Sequence, residues 1–184
     1  MAIFERTYGP VKRGAAAAMR PVKKPQSAAA NPRRAPSKPL GGPEYLLIDG
    51  YNVIFAWDEL RSLAEDSLEA ARRRLMDILC NYAGYTGCVP ILVFDAWRVK
   101  GGEREIERYH NLYVVYTKEA ETADTYIEKA THEIAKRHNT RVVTSDAAEQ
   151  LIILGNGALR VSSRTFLEEV RLVEREIRHI LASQ

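Results

Sequence analysis

The stretch LLIDGYNVIFAW, residues 46–57, contains a conflict. Tyr45 to Ile48 is an apolar run of the kind that forms a buried strand, yet it runs straight into Asp49 and then Gly50, Tyr51 and Asn52. A carboxylate is seldom buried unless it is paired, hydrogen-bonded or holding a cation. Asp49 can simply cap a following helix. It gains a second meaning only if other acids arrive at the same place.

From residue 44 onward strands and helices alternate. After the strand at 45–48, residues 66–83 carry Leu68, Ala71, Leu75, Ile78, Leu79 and Tyr82 on one helical stripe, with Asp66 or Ser67 as the cap. VPILVFD, 89–95, is a second continuous apolar strand, and LYVVYT, 112–117, a third, with the polar stretch 96–111 between them. TADTYIEKATHEIAKRH is helical, with Ala123, Tyr126, Ile127, Ala130 and Ile134 inward. RVVT, 141–144, is a fourth strand, AAEQLIILG a short helix, ALRVSS a fifth strand, and Ser162 or Ser163 caps a last helix to about residue 181. This order predicts a three-layer α/β/α domain around a mainly parallel sheet. In such sheets ligands bind at the carboxyl ends of the strands.

Four acids fall at that edge. Asp49 follows LLI, Asp95 follows ILVF, Asp146 lies just beyond RVV, and Asp124 stands in the first turn of the helix after VVYTKEAETA. Each alone reads as a cap or a first-turn acid favoured by the helix dipole. Four together repel one another, and such a gathering usually persists because a divalent cation neutralises it. Oxygen-only ligands select Mg2+ or Mn2+ rather than zinc, and such ions assist in-line displacement at phosphodiesters. Asn52 is suited to orient a phosphate or a water, and Thr144 and Ser145 to donate hydrogen bonds at the same edge.

Charge is distributed unevenly. Residues 1–43 hold nine Lys and Arg against one acid, Glu5, a net of +8, while the rest holds 18 basic against 23 acidic residues, a net of −5. The first segment also carries seven of the eight prolines. It has little to bury and is expected to be a disordered tail or linker, 1–43, ahead of the domain at 44–184. Its basic, acid-poor composition fits a solvated linker, a phosphate-binding arm or an organelle transit peptide. No apolar run suits a secretory signal or a membrane span. Two cysteines, Cys80 and Cys88, make neither a disulfide framework nor a zinc site and point to a cytoplasmic protein.

LLIDGYNVI, VFDAWRVKGG, YTKEAETADTYIEK and VVTSDAAEQ together resemble the NYN branch of PIN-like nucleases, and most closely the YacP-type NYN domains. The likeness runs over about 44–180 and shows no departure at the acids. It implies a PIN-like fold and a Mg2+- or Mn2+-dependent endoribonuclease whose catalytic and metal-binding acids are Asp49, Asp95, Asp124 and Asp146. Asn52 is then their polar companion and Glu121, in ETAD, a secondary candidate. It also implies mRNA as substrate and the ribosome as partner. Similar domains stand behind GTPases resembling ribosomal protection proteins, and FERTYGPVKRG looks a little like the end of such a chain, a likeness that implies the end of a larger, translation-GTPase-like protein as one reading.

For holding RNA the sequence offers Arg98, Lys100, Arg104 and Arg108, interleaved with Trp97, Tyr109 and His110, and Lys118 closer to the acids. Arg72, Arg73 and Arg74 read as a solvated helix face. Two other readings use the same residues. A haloacid-dehalogenase-like phosphatase also starts from a strand-end aspartate, but its second aspartate would stand at Tyr51. A non-catalytic RNA- or ribosome-binding module would keep the fold without turnover.

Overall fold

The computed structural model describes residues 42–95, 105–118, 120–144 and 157–183. In chain order these form β1 (Tyr45–Asp49), α1 (Gly50–Ala56), α2 (Asp58–Asp66), α3 (Leu68–Thr86), β2 (Val89–Phe94), β3 (Glu105–Tyr109) and β4 (Leu112–Tyr116). There follow α4 (Ala123–Ile134), β5 (Thr140–Val143), β6 (Leu159–Val161) and α5 (Ser163–Ala182). The predicted basic tail, apart from its last two residues, and the predicted helix at 147–155 lie outside the described residues.

Six strands make one sheet in the order β3-β4-β2-β1-β5-β6. Every neighbouring pair is parallel except β3 with β4. The chain moves outward from β1 to β2 and β4, then returns to the other side of β1 for β5 and β6. The order therefore reverses at β1, which puts Asp49 at the point where open α/β sheets form their ligand crevice. Pro90 sits in a central strand without breaking it. The Val89 N–H donates to the Glu44 carbonyl on the β1 side, 2.8 Å away, and alternation turns the Pro90 nitrogen toward β4, whose ladder begins only at Ile91.

Two cores lie on opposite faces of the sheet. Leu46, Ile48, Leu92, Phe94, Val114 and Val143 face α1, α2, α3 and α5, where Leu60, Leu75, Leu79, Phe166 and Val170 close the larger cluster. Leu47, Val93, Val115 and Val142 face α4 through Ala123 and Ile127. Ser67 caps α3 by accepting the Ala70 N–H at 3.2 Å, and Gly87 ends it in the left-handed region at φ 73°. Asp66 is instead the last residue of α2. On the larger face Arg141 of β5 pairs with Glu169 of α5 at 2.6 Å, and the Tyr82 hydroxyl of α3 donates to the same carboxylate. Cys80 and Cys88 are free thiols, and burial raises both above the ordinary thiol range. Among the described residues no helix is long and apolar enough to cross a membrane.

Three features depart from the sequence reading. α1 and α2 occupy 50–66, where no element was assigned. Seven residues give α1 too little length for a helical period, and it forms because Asp49 caps it and Val53 and Ile54 bury against the core. The polar stretch after β2 ends in a strand, β3, antiparallel to β4. Its residues Glu105 to Arg108 are exposed on both faces of a sheet edge, so EIERY shows no buried alternation to read. The fourth strand is shifted by one residue, to Thr140–Val143.

Candidate active site

Strand alternation decides where the acids point. In β1, Leu46 and Ile48 face the larger core, so Leu47 and Asp49 face α4; in β2, Phe94 faces the larger core and Asp95, the next residue, turns toward α4. The N-terminus of α4 meets them there. The Asp95 Oδ1 accepts the Ala123 backbone N–H at 2.5 Å, which satisfies one of the first-turn amides and seats Asp124 beside the two strand-end acids. Thr122 caps the same turn by accepting the Thr125 N–H at 3.2 Å.

Asp49 is the deepest of the three, 6% exposed. Its Oδ1 accepts the Asn52 backbone N–H at 3.0 Å and its Oδ2 the Asn52 side-chain amide at 2.8 Å. It is thus both the cap of α1 and a buried acid. Burial raises its pKa to about 6, the two hydrogen bonds from Asn52 oppose that rise, and the charges of Asp124 and Asp95 add to it.

Gly50 makes this depth possible. A Cβ there would lie 2.2 Å from Cε1 of the Phe94 ring, so only glycine lets α1 start against the end of β2.

Other candidates are less uniformly placed. Lys118 is exposed just beyond β4, and its carbonyl accepts the Glu121 N–H in the turn toward α4. Glu121 is nearly buried and paired with Lys129 at 3.2 Å. Thr144 is buried after β5, and its carbonyl accepts from Arg160 Nη2 at 3.3 Å. Asp146, Ser145, Arg98, Lys100 and Arg104, with Trp97, lie outside the described residues. Arg108, Tyr109 and His110 are at the wrong end: Tyr109 pairs with Leu112, the first residue of β4, so this trio sits at the amino edge of the sheet, opposite the acids. Tyr109 there donates to Asp77 at 2.8 Å, and Arg108 lies over Tyr113. They cannot share an RNA contact with Asp49.

Arg72 was misread as solvated. Arg73 and Arg74 are open to solvent, but the Arg72 side chain is only 16% exposed, pairs with Glu69 at 2.8 Å and lies 6.0 Å from the centroid of Phe94. Its Nε is buried without a hydrogen-bond partner. The signal was available: Leu75, Met76 and Leu79, three, four and seven residues on, are all buried, so spacing alone puts Arg72 on the inner stripe.

The donors suit a hard cation, since they are carboxylates held at a half-buried edge. Among the described residues, however, no three acids, histidines or cysteines are gathered closely enough to ligate one ion together. The fit is to an ion such as Mg2+, which keeps several of its own waters and needs only one or two carboxylates directly.

Comparison with known proteins identifies the family. The model of the YacP-like NYN domain matches residues 46–184. A Bacillus subtilis (strain 168) protein described as "Uncharacterized protein YacP" is 47% identical over 137 residues, 73% of this chain and 79% of that one. The crystal structure of Rae1 (YacP) from Bacillus subtilis superposes with a TM-score of 0.65 at 44% identity, over 76% of this chain and 80% of that one. A mutant of that protein gives the same TM-score at 42% identity, over 74% and 80%. With the family model, the identity to its relative and the shared fold in agreement, this chain belongs to the YacP-like NYN domain family and has its PIN-like nuclease fold.

Proposed function

We propose that the domain is a metal-dependent endoribonuclease that cuts mRNA presented by the ribosome in the cytoplasm. The observation that carries the reading is that Asp49, buried at the switch point of the sheet and raised first of all by burial to a pKa of about 6, also feels the charges of Asp124 and Asp95. Catalytic sites are where burial and like charge are arranged to perturb acids in this way. Of Asp49, Asp95 and Asp124, with Asp146 as the fourth acid, one or two would hold Mg2+ or Mn2+ directly and the others through its waters, and the ion would supply activation of water and neutralisation of charge on the phosphodiester oxygens.

The chain's own groups prepare that edge. Asn52 fixes both oxygens of Asp49, and the Ala123 amide fixes Asp95 against α4. Asp49 must be ionised to serve as a ligand, so metal binding strengthens as pH rises through about 6. Lys118, exposed just beyond β4, is a proposed phosphate contact among the described residues; Arg98, Lys100 and Arg104, in the segment joining Asp95 to Glu105, are the proposed contacts to the RNA or to the surface presenting it. Selectivity comes from that surface. The acids recognise only phosphodiester oxygens, and a body of net charge −5 repels free RNA. A partner that positions the strand can lower a barrier by roughly 7–11 kcal/mol.

The test is cleavage of one RNA in four conditions: naked or under translation, each with Mn2+ or with a chelator. Chelator-sensitive cutting that is much faster on the translated RNA is expected. Equal rates on both remove the ribosome and leave a general ribonuclease. Binding without any cutting leaves an RNA-binding module.

A further inference from the structure

Three half-buried arginines, Arg72, Arg141 and Arg160, keep a buried Nε without a hydrogen-bond partner. Two of them have carboxylates for their other nitrogens: Arg72 pairs with Glu69, and Arg141 with Glu169 and Glu44. Arg160 differs. Among the described residues it has no acidic partner, and its Nη2 donates to the Thr144 carbonyl at 3.3 Å. A guanidinium is costly to hold half-buried on one neutral acceptor, and an anionic ligand would offset that cost.

Alternation fixes the face to which Arg160 turns. Val161, the next residue, pairs with Val143, and both belong to the larger core; Arg160 pairs with Val142, which faces α4. Asp49 and Asp95 turn to that same face. From the level of Val142 the side chain reaches forward to the Thr144 carbonyl, so the guanidinium lies at the carboxyl edge of the sheet. Ile48 pairs with Val143 in the parallel register of β1 with β5, and Asp49 is therefore level with Thr144. The Asp49 backbone is one to two strand spacings from the guanidinium, roughly 5–10 Å. One nucleic-acid strand can touch both. A cation held by the acids neutralises a single phosphate, and the phosphates on either side keep their charge. The guanidinium fork matches two oxygens of such a phosphate.

We propose that Arg160 binds a phosphate flanking the cleaved one, so that the RNA strand crosses the carboxyl edge of the sheet from the acids toward β6. This deepens the ribonuclease reading and rests on it.

The test couples a change in the protein to a change in the RNA. Short RNAs each carry one neutral methylphosphonate linkage in place of a phosphodiester, at successive positions. For the full chain, Arg160→Gln and Arg160→Lys, kcat/KM is measured on each RNA in Mn2+ and binding is measured in chelator. Wild type should lose roughly tenfold or more at one linkage flanking the cut. Arg160→Gln should be slow on the unmodified RNA and lose nothing further at that linkage. Its binding should also fall less steeply with salt, by about 0.7 in the log–log slope, the share of one phosphate on a single strand. Arg160→Lys keeps the charge and should keep the slope while losing part of the rate. If Arg160 only anchors the Thr144 carbonyl, Arg160→Gln slows every RNA by the same factor with the salt slope unchanged, and that result overturns the proposal. So does a wild type indifferent to neutralisation of every linkage beside the cut, an outcome read without any variant. If the coupling shows in binding but wild type cuts no RNA, the contact stands and the nuclease reading falls.

Discussion

At the scale of single residues, Asp49 bears most of the energetic tension. Its pKa is raised from 3.8 to about 6, so the fold favours the protonated acid, and stability is lost as pH rises from about 4 through about 6 and stays lower above. Asp49→Asn removes that penalty at nearly constant shape. It should raise the melting temperature of the metal-free protein at pH 7.5, by roughly 1–3 kcal/mol of stability, and leave it little changed at pH 4, while abolishing metal-dependent cutting. Calorimetry at the two pH values checks the sign, and a drop at pH 7.5 would refute it. Gly50→Ala should cost about 1–3 kcal/mol because a buried ring has to move, and Phe94→Leu should recover part of that loss in a double-mutant cycle. Asp49 and Asp95 were legible because each ends an apolar strand, and Asp124 because it stands in the first turn of a helix. Arg72 was not, because three consecutive arginines look solvated until the stripe beneath them is counted.

Among the elements, α4 connects fold to site. Thr122 caps it, Asp95 takes its Ala123 amide, and Asp124 sits on its first turn. Thr122→Ala should lower stability by about 1 kcal/mol and weaken the thermal shift on adding Mn2+ more than that loss explains, because fraying displaces Asp124. A full-sized Mn2+ shift in this variant, measured by melting, would separate the cap from the site. Strands buried on both faces were readable from runs such as VPILVF. β3 was not, since a solvated edge strand has neither an apolar run nor an alternating one. That miss also misplaced Arg108, Tyr109 and His110: a stretch taken as one loop beside the acids turns back on itself and delivers them to the opposite edge.

For the whole molecule, charge and connectivity matter most. Removing residues 1–41 deletes nine basic side chains and one acidic one and leaves a net charge of −5. The melting transition should not move, whereas RNA affinity should fall and lose part of its salt slope. Loss of cooperative melting would show that those residues belong to the fold. The three-layer class was legible because the order of apolar segments determines it, but the pairing of distant segments was not. The Trp57 indole N–H donates to the Ser163 carbonyl at 2.8 Å across 106 residues, and Phe166, Val170 and Val173 complete the core that begins with α1. This joint sets an order in time. A chain emerging during its own synthesis, at about 5–20 residues each second, has Asp49, Asp95 and Asp124 out before the last helix exists. Until α5 follows, the Trp57 N–H has no native acceptor and the larger core stays open to water. A nascent chain therefore carries its strand-end acids early and its rigidity late, and the two coexist only when the final helix closes over Trp57.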